Sequence, residues 1–164
     1  MGDDRLRILA VKAHPHDFTH CAGTLGIHVG RGDSVTVVTV TSGAYVHNEQ
    51  LSAELAKPKG QQDPNIVDQP PDKYAEEKAA ELRQAAAVFG ITDIRILHGK
   101  EPFLVDENPD IVEKLTEIIL EERPDILISQ STYLTGSGHH GQISGYLGDD
   151  HLNAAFAVQK AQYW

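Results

Sequence analysis

Apolar and polar positions along this chain fall into short strand-like runs separated by longer helix-like segments. Arg5 to Ala13 is an apolar run of strand character, and Ser34 to Thr41 places Val35, Val37, Val38 and Val40 among threonines, a β-branched density that favours a second strand. Between them, from about Thr19 to Val29, the chain reads as a helix. Its glycines, Gly23 and Gly26, are poor helix formers but permit close packing on a sheet. Gly30-Arg31-Gly32-Asp33 supplies a helix stop and a turn. Strand, helix and strand in that order predict a right-handed βαβ unit with parallel strands.

Residues Ser42 to Asp72 hold no sustained period and contain Gly43, Pro58, Gly60, Pro64, Pro70 and Pro71. They predict a long excursion over the carboxyl edge of the sheet, with a short helix near Glu49–Lys57; loops of this length in compact domains are usually functional or disordered. From Asp72 to Phe89 the apolar positions Ala75, Ala79, Leu82, Ala86 and Phe89 recur at three and four, and Gly90 ends that helix. Ile94–Leu97 reads as a short strand. Asn108 is placed to cap a helix that starts at Pro109 and turns Ile111, Leu115, Ile118 and Ile119 inward, and Pro124 stops it. Asp125–Ser129 is a buried strand, Gln130–Gly148 a polar loop, and Asp149–Gln162 a last helix. The chain then stops abruptly at Tyr163-Trp164, which reads either as a compact minimal domain or as a polypeptide cut short. Strands alternating with helices predict an α/β fold, a Rossmann-like three-layer sandwich with a mainly parallel sheet. The length, 164 residues, predicts one domain over 1–164.

Composition narrows the function classes. A formal net charge of −10 and no Lys/Arg cluster argue against nucleic acid and anionic membranes as partners. The single cysteine, Cys21, excludes an intrachain disulfide and a thiolate metal cage. No signal-peptide pattern and no apolar run near 18 residues are present, so a cytoplasmic location is the expectation. Nine histidines raise the prospect of metal binding, because four of them (His14, His16, His20, His28) fall within 15 residues and His139, His140 and His151 lie near the other end.

The chemistry concentrates where the first strand ends, in Ala13-His14-Pro15-His16-Asp17. Ligands of open α/β sheets bind at the carboxyl ends of strands. His14 and Asp17 sit across a tight turn, where an imidazole nitrogen and a carboxylate oxygen can converge on one ion. His151, in Gly148-Asp149-Asp150-His151, starts the last helix at the same sheet edge. Two histidines and a carboxylate with an open fourth position is the pattern of a catalytic zinc site. Each motif alone reads more simply as a turn or helix-cap residue set, and their pairing is what carries weight. His20 and His28 read as packing or surface residues, Cys21 as a small buried one, and Glu81 as a loop anchor through a salt bridge. Lys12, inside a buried strand, has no account at this level.

These motifs together resemble the PIG-L/LmbE superfamily of zinc-dependent N-acetyl deacetylases. Ala13-His14-Pro15-His16-Asp17 is similar to the family's Ala-His-Pro-Asp-Asp signature, and Cys21-Ala22-Gly23-Thr24-Leu25 to its glycine-rich helix start. Lys78 to Gly90, Arg123-Pro124-Asp125 and Asp150-His151 follow in the family's order. The resemblance implies zinc, or another divalent metal such as iron or nickel, on His14, Asp17 and His151. It also implies a catalytic set containing His16 and Asp150, and removal of an acetyl or other acyl group from an N-acetyl amino sugar or related small amide by metal-activated water. The expected partner is a small N-acetylated sugar derivative, with homo-oligomerisation left open. Tyr45, His139 and His140 are the candidate substrate-binding residues, with His47 beside Tyr45. Two positions depart from the family. Its base aspartate is His16 here, which can replace that base or add a fourth metal ligand and close the site. Its oxyanion histidine is Gly148, for which no side chain can substitute, and His139 or His140 are the loop residues that could reach the substrate instead. The competing reading is a paralogue that binds metal or ligand without turnover. A nucleotide-binding module is a weaker third, since the first turn lacks Gly-x-Gly-x-x-Gly.

Overall fold

The computed structural model describes residues 5–45, 48–132 and 149–163. Its strands are β1 (Arg7–Lys12), β2 (Ser34–Thr39), β3 (Asp93–Ile96) and β4 (Ile126–Ile128). Among the described residues they form one sheet in the order β3-β2-β1-β4, with every pair parallel. β1 is central because it is apolar on both faces: residues Ile8 to Lys12 are all buried, as parallel strands covered on two sides must be.

The alternation of side chains along β1 and β2 sorts the core into two layers. Leu9, Val11, Ala13, Val38 and Val40 face α5 (Pro109–Glu122) and α6 (Asp150–Gln162), through Ile111, Leu115, Ala154 and Val158. Ile8, Ala10, Val35 and Val37 face α1 (Ala22–Gly30) and α4 (Pro71–Val88), through Leu25, Leu82 and Ala86. The result is the expected α/β/α sandwich. Each fully buried leucine or isoleucine contributes about 1.5–3 kcal/mol from removal of its apolar surface from water. Gly26 has a packing role that its poor helix propensity hides. A Cβ there would lie 2.5 Å from the Phe89 ring, so glycine lets α1 and the end of α4 meet.

Several local expectations change. The turn after β1 is a 3-10 helix, Pro15–His20, and α1 begins only at Ala22. The excursion after β2 carries the expected short helix, α2 (Glu49–Leu55), and beyond it a 3-10 turn at Lys59–Gln61 and the one-turn α3 (Pro64–Val67); α2 and α3 start on local signals, as the Asn48 and Asp63 side chains accept backbone N–H bonds and Pro64 opens α3. Asn108 precedes α5 as expected but does not cap it. Its Oδ1 accepts the Lys100 N–H at 2.7 Å and its Nδ2 donates to the Leu104 carbonyl, so the side chain braces the loop before the helix. No helix of the described residues is long and apolar enough to cross a membrane.

Candidate metal centre

The carboxyl ends of β1 and β4 and the start of α6 meet at one place. β1 stops because Pro15 follows His14. The residue before a proline is held extended, as His14 is (φ −128°, ψ 162°), and Pro15 opens the 3-10 turn with its fixed φ. The turn is closed from both sides. The His14 N–H donates to Asp17 Oδ2 at 2.9 Å, and the Asp17 N–H donates to the His14 carbonyl at 3.2 Å. Three residues therefore suffice to bring the Asp17 carboxylate back beneath the His14 ring.

Asp17 is fully buried and is the hub. Its Oδ2 also accepts from Gln130 Nε2 at 2.9 Å, across 113 residues, and lies 3.6 Å from His14 Nδ1. Its Oδ1 lies 3.2 Å from His151 Nε2, 3.2 Å from His16 Nε2 and 4.0 Å from His20 Nδ1. Asp149 caps α6 by accepting the His151 and Leu152 N–H groups, which sets the His151 ring at the mouth of that helix. The His14 and His151 rings meet edge to face at 5.1 Å, and the His14 and His16 rings lie nearly parallel at 5.5 Å.

His14 is fixed from behind. Its Nε2 faces Asp150 Oδ2 at 3.0 Å, and Asp150 Oδ1 accepts the Phe103 N–H at 2.9 Å. With one ring nitrogen engaged by a carboxylate, the other, Nδ1, is the nitrogen turned toward Asp17. This carboxylate-to-imidazole arrangement orients histidines that bind metals. The Asp150 expected among the catalytic residues thus stands beside His14, as its orienting partner. Burial disfavours protonation of His14, but the carboxylates of Asp150 and Asp17 outweigh it and lift its pKa to about 9. For Asp17, burial would raise the pKa, yet the hydrogen bonds from His14 and His151 overcome it and hold the carboxyl far below its usual range. His151 is raised in the same way, burial opposing and Asp17 prevailing.

The donor set fits a metal ion. One donor atom from each of His14, His16, Asp17 and His151 lies within 4.8 Å of all the others. Zinc–nitrogen bonds of about 2.0–2.1 Å place neighbouring tetrahedral donors roughly 3.3 Å apart; His16 and His151 lie 3.2 Å from Asp17 Oδ1, and His14 Nδ1 lies 3.6 Å from the other carboxylate oxygen, Oδ2. Imidazole and carboxylate suit zinc and several other divalent ions.

Other expected residues fall differently. Tyr45 is exposed on the strand-end loop, whose Ala44 and Tyr45 N–H groups donate to the Glu101 carboxylate at 3.0 and 2.9 Å. Gly43, with φ +70°, brings that loop against Pro15. His47, His139, His140 and Gly148 lie outside the described residues. Glu81 pairs with Lys78 of its own helix at 2.7 Å, not with a loop. Lys12 is buried beside the Cys21 thiol, whose pKa burial raises. Gln130, Glu101 and the Phe103 N–H are contributors that carried no sequence signal. Each acts across tens of residues, and none belongs to a motif.

Fold and site together define an α/β protein with a histidine–carboxylate cluster able to hold a metal ion at the carboxyl edge of a parallel sheet. The chain belongs to the PIG-L family: the family profile described as GlcNAc-PI de-N-acetylase matches residues 9–161. It is 28% identical over 180 residues to a 1D-myo-inositol 2-acetamido-2-deoxy-alpha-D-glucopyranoside deacetylase of Thermomonospora curvata, covering 99% of this chain and 54% of the relative. It is also 28% identical over 178 residues to a deacetylase of the same name, numbered 2, from Catenulispora acidiphila, covering 98% and 52%. The chain spans about half the length of these curated relatives. Among solved structures, the N,N'-diacetylchitobiose deacetylase of Pyrococcus horikoshii matches with TM-score 0.69 at 17% identity, over 96% of this chain and 49% of that one. The 4-carboxy-2-hydroxymuconate hydratase GalB of Pseudomonas putida matches with TM-score 0.70 at 20% identity, over 95% and 55%. A deacetylase and a hydratase on one architecture show that this likeness carries the fold alone.

Proposed function

We propose that this protein is a metal-dependent amide hydrolase that removes the acetyl or other acyl group of an N-acetyl amino sugar or a related small amide. The observation that carries the reading is the convergence of His14, Asp17 and His151 on one point, in a chain of a family described as a de-N-acetylase. These three residues would hold the ion, with zinc as the first choice. Such an ion supplies a Lewis acid for the amide carbonyl and lowers the pKa of water to near neutrality. The protein's part is orientation. Asp150 fixes the His14 ring, Gln130 fixes the Asp17 carboxylate, and His16, in the sequence place of the family's base aspartate, would be the general base toward the water. Tyr45, on the loop anchored by Glu101, and His139 and His140 are the candidate contacts to the substrate. An N-acetylated sugar derivative is the proposed partner, nucleic acid and membrane are not, and the proposed location is cytoplasmic. The test is elemental analysis of wild type and Asp17→Asn beside amine release from N-acetylglucosamine derivatives. We expect one metal and turnover in wild type, and neither in the variant. A wild-type protein that is folded, metal-replete in its growth medium and still metal-free would refute the reading.

One observation favours a second reading. His16 Nε2 stands within the donor set, and a centre closed by four protein ligands is structural rather than catalytic. Metal in the wild type with no amine release from any N-acyl sugar would establish that alternative.

A further inference from the structure

We propose that His16 is a displaceable fourth donor of this centre: its Nε2 completes the set of His14, Asp17 and His151 at rest, and its imidazole turns into a neighbouring cavity when a small molecule takes its place. The inference rests on the metal reading above and assigns His16 a role that a base alone would not have.

Three observations support it. The first is aim. The His16 side chain is 38% exposed, yet its Nε2 is shielded from solvent and lies 3.2 Å from Asp17 Oδ1, the same separation as His151 Nε2 from that oxygen. The second is exposure. His14 and Asp17 are almost fully buried, whereas the His16 side chain reaches the surface. The third is a place to go. A cavity of about 230 Å³ lies against His16, walled by Phe18, Thr19, Tyr74 and Ala85 with Lys78 and Glu81 at its side. At about 30 Å³ per water, that space equals roughly eight waters, more than one imidazole ring requires. Rotation about the two side-chain bonds of His16 moves the ring between these positions without moving the turn that carries Asp17.

The two sides of this arrangement reconcile an apparently closed donor set with hydrolysis. At rest the centre has four protein donors and holds its ion tightly; with His16 in the cavity, one position is open to a small ligand.

The experiment loads wild type, His16→Ala, His14→Ala, Ala85→Phe and His28→Ala with Co(II), then records the visible absorption spectrum and the dissociation constant by chelator competition. We expect His16→Ala to lose at least about tenfold in affinity, with a weaker and shifted cobalt spectrum, while His28→Ala matches wild type. Ala85→Phe fills the cavity from an exposed position on α4. It is expected to keep the wild-type cobalt spectrum while lowering amine release, because His16 then has nowhere to turn. If wild type binds cobalt and His14→Ala does not, but His16→Ala shows wild-type affinity and spectrum, the fourth-donor proposal is overturned and the metal reading stands. If folded wild type binds no cobalt, both fall.

Discussion

Two histidine–aspartate pairs in this molecule are wired alike and do different things. At the amino edge of the sheet, Asp33 accepts the Leu6 N–H at 2.9 Å through one oxygen and faces His28 Nδ1 at 2.7 Å through the other. At the carboxyl edge, Asp150 accepts the Phe103 N–H at 2.9 Å through one oxygen and faces His14 Nε2 at 3.0 Å through the other. The first pair spans five residues and ties the end of α1 to the start of β1 and β2; the second spans 136 and joins α6 to the end of β1. What separates them is the second ring nitrogen. That of His14 faces another carboxylate 3.6 Å away, and His14 belongs to the metal-capable cluster of the described residues while His28 does not. A histidine–aspartate contact is therefore no sign of a site by itself. The sign is what the far side of the ring is held toward.

The largest expected contrast comes from removing each ring. His14→Ala should abolish metal retention in elemental analysis and amine release with it, while His28→Ala should retain one metal per chain. Retained metal in His14→Ala would erase the distinction between the two pairs.

Next in size is removal of the orienting charge. Asp150→Asn keeps an acceptor for the Phe103 N–H but no longer holds the His14 ring as a carboxylate does. Metal affinity should fall about 10–100-fold in a chelator competition, whereas Asp33→Asn should leave that affinity unchanged. Equal affinities in wild type and Asp150→Asn would show that Asp150 is only packing.

Stability should respond the other way round. Asp33→Ala removes the acceptor of the Leu6 N–H and the partner of His28 together, so its melting temperature should fall by a few degrees with metal content intact. A loss of metal there would imply that the amino edge communicates with the centre.

The smallest effect is in acid. The Leu6 N–H, then His28, hold the Asp33 carboxyl below its usual range. A depressed carboxyl stabilises the folded state above its unfolded pKa, near ~4, and that contribution is lost as pH falls through the lowered folded value. Urea midpoints at pH 7 and pH 3 should therefore differ more for wild type than for Asp33→Asn.

Much of this was legible before any coordinates. Strand β2 declares itself through Val35, Val37, Val38 and Val40, and α4 through Ala75, Ala79, Leu82 and Ala86, because packing on a sheet imposes those periods. The convergence of His14 and Asp17 follows from a turn only three residues long, and His151 from its place at a helix start on the same edge. The short helix near Glu49 was legible too, but the prolines around Asp63 hid the one-turn helix that it caps. The rest was not legible because it is settled at long range. Nothing local says that Asn108 will brace a loop instead of capping its helix. The partnership of Asp150 with His14 and that of Gln130 with Asp17 depend on how β4 and α6 dock, which no spacing records.

The distance along the chain between the donors has a consequence for how the protein is made. His14, His16 and Asp17 are synthesised before His151, which meets Asp17 across 134 residues, and Asp150 reaches His14 only when α6 is in place. A nascent chain thus carries an incomplete ligand set until nearly all of the described sheet and its covering helices have been translated. An ion held by the proposed set would therefore bind only after α6 has docked on β1, and its capture would report that this docking is complete.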